Sequence, residues 1–267
     1  MRAVNEIPIL RVSKEGRSNS FDEVAIEEPL EIRVNCSTQI SQPLAVTMRT
    51  PAHDIELGTG FLFTEGIISS SNEILSAMQP EENRVDFTLD LPPEKAKGIL
   101  NRQFYMTSSC GVCGKSSLDA VKVNCKPLDF TTRIQEHMLY NLPDVAIELQ
   151  ETFRRTGGLH ASFLFDTAGR LLIMREDVGR HNALDKVVGA SLRDNAIPLH
   201  DRVLLLSGRA SFELIQKAAL AGIQVVAGIG APSSLAVELA RSVGITLVGF
   251  LKSDRFNVYS APERIVA

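Results

Sequence analysis

The sequence predicts a mixed α/β protein: a C-terminal core around a partly parallel sheet, preceded by a smaller β-rich α+β region. Three observations carry this. From Leu159 onward, short continuous apolar runs alternate with segments of helical periodicity. At this spacing, that order implies right-handed crossovers and parallel strand pairing. Ahead of it, Leu30–Val34 and Val85–Leu89 alternate apolar and polar residues, as strands with one covered face do. A length of 267 residues allows one large domain or two modest ones. The division expected is 1–130, ending in a cysteine loop, and 131–267, the α/β core.

Taken in order, residues 1–27 are weakly patterned, and Lys14–Ser20 reads as a mobile turn. Strands are expected at Leu30–Val34 and Leu44–Arg49, the second closed by Thr50-Pro51. Ile55, Leu57, Phe61 and Leu62 predict a helix over Asp54–Thr64 that ends near Gly66. After the strand Val85–Leu89, Pro92-Pro93 opens a short helix, Glu94–Asn101, because proline is tolerated in a first turn. Phe104–Met106 reads as a strand that enters the loop Ser108–Lys115, and Ser116–Asp119 as a helix start. Helices are expected over Thr131–Asn141 and Asp144–Arg154. Asp166–Gly169 is a hairpin turn between the strands Ala161–Phe165 and Leu171–Met174. Then follow helix Asn182–Leu192, strand Val203–Leu206, helix Ser211–Ala221, strand Ile223–Ala227, helix Ser233–Ser242 and strand Ile245–Phe250.

Composition excludes some classes. A net charge of −4 argues against a general nucleic-acid binder, which carries a basic stripe. No apolar stretch reaches 18 residues, so no membrane span is expected. Met1–Leu10 has no apolar run of signal-peptide length, which makes the cytoplasm the expected compartment. The four cysteines, Cys36, Cys110, Cys113 and Cys125, are too few for a disulfide scaffold of this size.

The most reactive-looking stretch is Ser108-Ser109-Cys110-Gly111-Val112-Cys113-Gly114-Lys115. A thiol is a nucleophile only as thiolate, and nearby positive charge or a helix N-terminus lowers its pKa. Lys115 and the helix expected after Ser116 supply both to Cys110 and Cys113. Four readings compete: structural zinc, dithiol redox chemistry, an incidental pair, and sulfur handling. Zinc needs four ligands, and the remaining two would come from Cys125, His137, His160 or His181 without the usual spacing; no metal is expected. A thioredoxin-like pair follows the first strand of a βαβ unit, whereas this one sits mid-chain. Sulfur handling is favoured: one thiolate takes a sulfane sulfur as persulfide, and its neighbour helps release it by attack or proton donation.

In open α/β sheets, ligands bind beyond the carboxyl ends of the strands. Ser207-Gly208-Arg209 and Gly228-Ile229-Gly230-Ala231-Pro232-Ser233-Ser234 leave strands and enter helices, where backbone amides favour phosphate. Arg209 adds a fixed guanidinium fork. Arg175–Asn182 is dense in polar groups, and Glu176, Asp177, Arg180, His181 and Asn182 are candidate contacts to a heterocycle and ribose. Lys252-Ser253-Asp254-Arg255 follows the last strand, where a strand-end pocket closes; Lys252 and Arg255 suit a diphosphate, and Asp254 a guanine edge or Arg255.

Together these segments resemble the formate dehydrogenase accessory sulfurtransferase family. The resemblance rests on Arg49-Thr50-Pro51, Gly60–Ile68, Ser109–Gly114, Thr156–Ala161, Arg175–Lys186, Ser207–Glu213 and Ala231–Val237, and spans roughly residues 25–260. It implies a cytidine-deaminase-like core; the deaminase zinc signature, His-x-Glu followed by Pro-Cys-x-x-Cys, does not occur here. It implies that sulfur passes from a cysteine desulfurase to a molybdenum (or tungsten) bis-pterin guanine dinucleotide cofactor, before that cofactor enters formate dehydrogenase. By that likeness Cys110 carries the persulfide and Cys113 assists. Phe250, Leu251, Lys252, Ser253, Asp254 and Arg255 match the family's cofactor-binding stretch. The phosphate logic at Ser207, Arg209, Arg180, His181 and Asn182 fits the guanine nucleotide arms. A cytoplasmic homodimer is also implied. The rival readings are a non-enzymatic cofactor carrier and a zinc-dependent nucleotide deaminase relative.

Overall fold

The computed structural model describes residues 3–36, 41–100, 127–129 and 132–267. The strand expected at Phe104–Met106 and the helix start at Ser116 lie outside the described residues. The chain opens with a hairpin of two ten-residue strands, β1 (Val4–Ser13) and β2 (Gly16–Ala25), paired from Val4↔Ala25 to Ser13↔Gly16. This corrects the reading of Lys14–Ser20 as a mobile turn: only Lys14 and Glu15 turn. No residue of either strand is buried, so no apolar alternation announced them; backbone pairing alone defines the register.

A four-stranded sheet follows. β3 (Glu28–Cys36) buries every second residue from Leu30 to Cys36. It pairs antiparallel with β4 (Gln42–Arg49). Helix α1 (Asp54–Thr64) matches its expected span. β5 (Ile74–Glu81), unforeseen because its burial has no period of two, leads to β6 (Arg84–Leu89) and then to α2 (Pro93–Leu100). The sheet order is β4-β3-β6-β5, with β3 and β6 parallel.

In the C-terminal part, β7 (Ile134–Gln135) runs directly into α3 (Glu136–Leu149), and α4 (Glu151–Thr156) follows. The break expected near residue 142 is absent, because Pro143 sits inside α3. Proline removes one helical hydrogen bond. Burial of Met138, Leu139, Leu142 and Ala146 on the sheet offsets that loss. Strands β8 (His160–Asp166) and β9 (Leu171–Asp177) form the expected hairpin. Then come α5 (Arg180–Arg193), β10 (Arg202–Leu206), α6 (Phe212–Leu220), β11 (Val225–Gly228), α7 (Ser234–Val243) and β12 (Thr246–Gly249). β13 (Asn257–Ser260) and β14 (Ile265–Val266) close the chain.

The order of the main sheet is β13-β12-β11-β10-β8-β9. β10, β11 and β12 are parallel, and the flanking strands are antiparallel. Alternate strand residues go to opposite faces. Leu164, Leu204, Leu206, Val226 and Leu247 pack in one core with α5, α6 and α7. Phe163, Phe165, Val203, Leu205, Val225 and Val248 pack in a second core under α3. Burial on both faces is why these strands read as continuous apolar runs.

The first core also takes in Leu30, Ile32, Phe61, Leu62, Val85 and Phe87, so the two sheets share it through α1 and α5. These helices touch backbone to backbone. A Cβ on Gly60 would lie 1.9 Å from the Asp185 carbonyl oxygen, and one on Gly189 would lie 1.9 Å from that of Glu56. Among the described residues, no helix is long and apolar enough to cross a membrane.

Candidate functional site

The loops that leave the parallel strands lock together. Ile229 N donates to Leu206 O (3.0 Å), Gly230 N to Gly208 O (3.0 Å) and Ala210 N to Ala231 O (3.2 Å). Phe250 N donates to Gly230 O (3.1 Å) and Leu251 N to Gly228 O (3.1 Å). Glycine at 249 allows this approach, since a Cβ there would meet Pro232 Cδ at 2.8 Å. The result is a rim whose loops are tied to one another through their backbones, beside two cavities.

The larger cavity encloses about 600 Å³. Its floor and rim are His160, Ser207, Leu251, Lys252, Ser253 and Asp254, and its far wall is α3 and α4, with Ile147, Gln150 and Phe153. The smaller cavity, about 350 Å³, is lined by Arg180, Arg209, Ser211 and Ser233 among others. The ring of His160 lies against Gly208 and lines the larger cavity. Burial, and then the positive charges of Arg180, His181 and Arg209, hold its pKa below the ordinary histidine value. His160 is therefore neutral at pH 7 and able to accept or donate a hydrogen bond.

His181 is buried, with Nε2 3.4 Å from Ser211 Oγ and 3.7 Å from Glu213 Oε2. Burial works against ionisation of Glu213, but hydrogen bonding to His181 and to its own backbone prevails and holds the carboxyl at about 2. The rim thus combines cations at Arg180, Arg209 and Lys252 with the carboxylates of Asp254 and Glu213, the latter already engaged by His181.

The expected site residues divide three ways. Leu251, Lys252, Ser253, Asp254 and Ser207 meet at the larger cavity. Ser207 is also tied into the sheet, since its Oγ accepts from Ala161 N at 2.8 Å. Arg180 and Arg209 meet at the smaller cavity. Phe250 and Arg255 line neither. Phe250 is exposed and held at a left-handed φ of 52°, a conformation that costs free energy in a non-glycine residue.

Asn182 and Asp177 do not face a cavity as expected of ligand contacts. Asn182 Nδ2 donates to Met48 O (2.8 Å) and Asp177 Oδ1 (3.1 Å), and its Oδ1 accepts from Thr47 Oγ1 (3.2 Å). Asp177 pairs with Lys186 Nζ at 2.7 Å and accepts from Gly179 N and Thr50 N. Glu176 accepts from Thr152 N and Phe153 N at the start of α4. These groups bind the chain to itself. The α3–α4 wall went unnoticed in the sequence. Its signal was Ile147 and Phe153, apolar residues left 62% and 41% exposed beside a cavity.

Cys110, Cys113 and Cys125 lie outside the described residues. Cys36 is buried in the first core, and burial pushes its thiol up, away from thiolate chemistry. Among the described residues, no three His, Cys, Asp or Glu side chains gather as metal ligands would.

By architecture this is an α/β protein built on a six-stranded and a four-stranded sheet, whose polar loops gather around paired cavities at the carboxyl ends of its parallel strands. The chain belongs to the FdhD/NarQ family, whose model matches residues 25–266. Similar proteins named sulfur carrier protein FdhD occur in Streptomyces avermitilis (45% identical, covering 99% of this chain and 96% of the relative) and Mycobacterium tuberculosis (47% identical, covering 91% of each). Another, from Sulfurisphaera tokodaii, is 39% identical over 98% of this chain and 99% of its own. A crystal structure assigned to a formate dehydrogenase accessory protein from Desulfotalea psychrophila superposes with a TM-score of 0.79. It is 27% identical and covers 99% of this chain and 100% of its own.

Proposed function

We propose that this protein is a sulfur carrier and sulfurtransferase. It takes sulfane sulfur from a cysteine desulfurase onto Cys110 and passes it to a molybdenum (or tungsten) bis-pterin guanine dinucleotide that formate dehydrogenase then uses. Family membership supports the sulfur-carrying part, through relatives named for it. The observation that carries the acceptor part is the pair of cavities at the strand ends. One has apolar walls and room for a base, and the other is small and basic. The acceptor is the substrate of this reaction. His160, Ser207 and Lys252 offer its nucleotide hydrogen bonds and positive charge.

The chemistry balances without a further oxidant. The Cys110 thiolate attacks the outer sulfur of the desulfurase persulfide; a new S–S bond forms, and the desulfurase thiolate leaves. Release of the sulfur as hydrosulfide requires two electrons. Cys113 supplies them by attacking Cys110 Sγ, which leaves a Cys110–Cys113 disulfide that an external thiol reduces. The three-residue spacing of the two cysteines suits this closure. The assembly proposed is a cytoplasmic homodimer.

The test is intact-protein mass spectrometry after incubation with a cysteine desulfurase and cysteine. Wild type gains sulfur mass and Cys110→Ala gains none; equal loading of both ends the proposal. In cells, Cys110→Ala abolishes formate dehydrogenase activity. Full activity with this variant assigns the protein to cofactor carriage alone.

A further inference from the structure

The proposed reaction leaves the hairpin β1–β2 without a task. All of it but Ala25 lies ahead of the residues that match the family model, 25–266. Its ten paired residues make a ribbon about 34 Å long. A two-stranded ribbon alone is marginal in water, and no residue of either strand is buried.

Residues opposite each other in an antiparallel pair share a face, and the face alternates along each strand. One face therefore carries Arg17 beside Val12 near the tip, then Leu10, then Pro8 beside Phe21, and Glu6 beside Glu23 toward the base. Leu10, Val12 and Phe21 are 56%, 63% and 63% exposed, an uncovered apolar stripe. The base of the same face leans on α4. Arg155 Nε donates to Glu23 at 2.9 Å, and a Cβ on Gly158 would lie 3.5 Å from that of Ala25.

A second observation concerns charge. Glu6 lies directly opposite Glu23, and like charges so placed destabilise a ribbon. Arg155 compensates Glu23. Among the described residues, Glu6 has no cation partner and Arg17 no anion partner. The two unpaired charges stand at opposite ends of the stripe. Arg17 is level with Val12, and Glu6 is six residues closer to the base, so the midpoint falls between Leu10 and Pro8. A two-fold axis across the strands at that level sets stripe on stripe. It also brings each Arg17 over the Glu6–Glu23 pair of the other copy. The face is thus complementary to itself, as a two-fold interface requires.

We propose that this face of the hairpin is a docking surface for a second copy of the chain, with the two ribbons stacked tip to base. The proposal rests on the homodimer put forward under Proposed function and names its surface. Two strands wide, the face is smaller than the ~800 Å² that each partner gives to a standard interface, so the dimer dissociates on dilution.

Sedimentation velocity on the full chain, from about 1 to about 100 μM, tests this. Wild type passes from monomer to dimer as concentration rises. Phe21→Ser and Arg17→Glu each weaken the dimer about tenfold or more, whereas Arg11→Glu, the same charge change on the opposite face, does not. Glu6→Arg alone weakens it too, and Glu6→Arg combined with Arg17→Glu returns to within about threefold of wild type. All four positions are exposed, and circular dichroism verifies that the variants are folded. A dimer of equal affinity in every variant overturns the proposal and moves the contact elsewhere. A monomeric wild type overturns it as well, and loss of formate dehydrogenase activity in cells carrying Phe21→Ser would then give the face to a different protein. Sulfur loading of Cys110 is read on the same samples. Loading by a monomeric wild type refutes the association and leaves the sulfur-carrier reading standing. A dimer that responds as described but takes no sulfur refutes the sulfur-carrier reading only.

Discussion

Arg175–Lys186 and the strand-end rim formed by Ser207–Ser211, Ile229–Ser233 and Phe250–Arg255 are both polar, and each lies where a strand gives way to a helix or the next loop. The first is mostly a weld. Arg175 grips Glu56 (2.6 Å), Lys186 reaches Thr50 O (2.9 Å) and Asp177, and Asn182 holds Met48 O. Asp185 meets Lys217 at 2.9 Å and accepts from Thr64 Oγ1 at 2.8 Å. Burial works against the Lys217 ammonium, but Asp185 and Glu65 more than offset it and raise its pKa. In the rim, by contrast, Arg209, Lys252 and Arg255 are exposed, and backbone hydrogen bonds do most of the joining. Polar residues of one kind thus serve cohesion where partners arrive from another element, and remain exposed where none does.

The sharpest way to break the comparison is Lys217→Met. It strands the Asp185 carboxylate in the core and should cost about 3–5 kcal/mol in urea unfolding monitored by circular dichroism. A loss below about 1 kcal/mol would show that the seam is as dispensable as a surface pair. Gly60→Ala should cost about 3 kcal/mol by the same assay, because α1 and α5 must part to admit a Cβ that would sit 1.9 Å from the Asp185 carbonyl oxygen.

Acid should weaken seam and rim alike, each through one carboxylate. Burial opposes ionisation of Glu56, yet hydrogen bonds from His53 and Arg175 bring it from 4.5 to about 2, the value Glu213 also reaches. A depressed folded-state pKa stabilises above the unfolded value and loses that contribution as pH falls through the folded one. Melting temperature should therefore decline between about pH 4.5 and 2, and Glu56→Gln or Glu213→Gln should each flatten part of that decline. An unchanged slope in both variants would exclude these carboxylates as its source. The smallest effect belongs to the rim. Arg209→Gln should leave unfolding free energy within about 0.5 kcal/mol of wild type, and a larger loss would mean that Arg209 belongs to the weld.

Much of the architecture was legible. Helix α1 was readable over its whole span, because Leu57, Phe61 and Leu62 repeat at helical spacing against a core. Strands β10 to β12 announced themselves as continuous apolar runs, since helices cover both faces of their sheet. Hairpin β1–β2 was illegible because it buries nothing, and α3 runs through the expected break between Asn141 and Asp144 because its apolar face packs on the sheet despite Pro143. Arg180, Arg209 and Lys252 line the cavities where the logic of strand ends and helix starts places a pocket. Asp177 and Asn182 were misjudged by that same logic, because their partners Thr47, Met48 and Thr50 lie more than 120 residues away.

The sequence by itself determined the alternation of strands and helices, the loops at the parallel strand ends and the paired cysteines of Ser108–Lys115. These are local properties, set by periodicity, glycine placement and side-chain chemistry within a few residues. Tertiary structure decided which polar groups remain available. It spent Asn182, Asp177 and Lys186 on the joint between the two sheets, and left Arg180 Nε without a partner among the described residues. The reason is that a buried polar group takes the nearest complementary atom, and in a folded chain that atom comes from another element as readily as from its own.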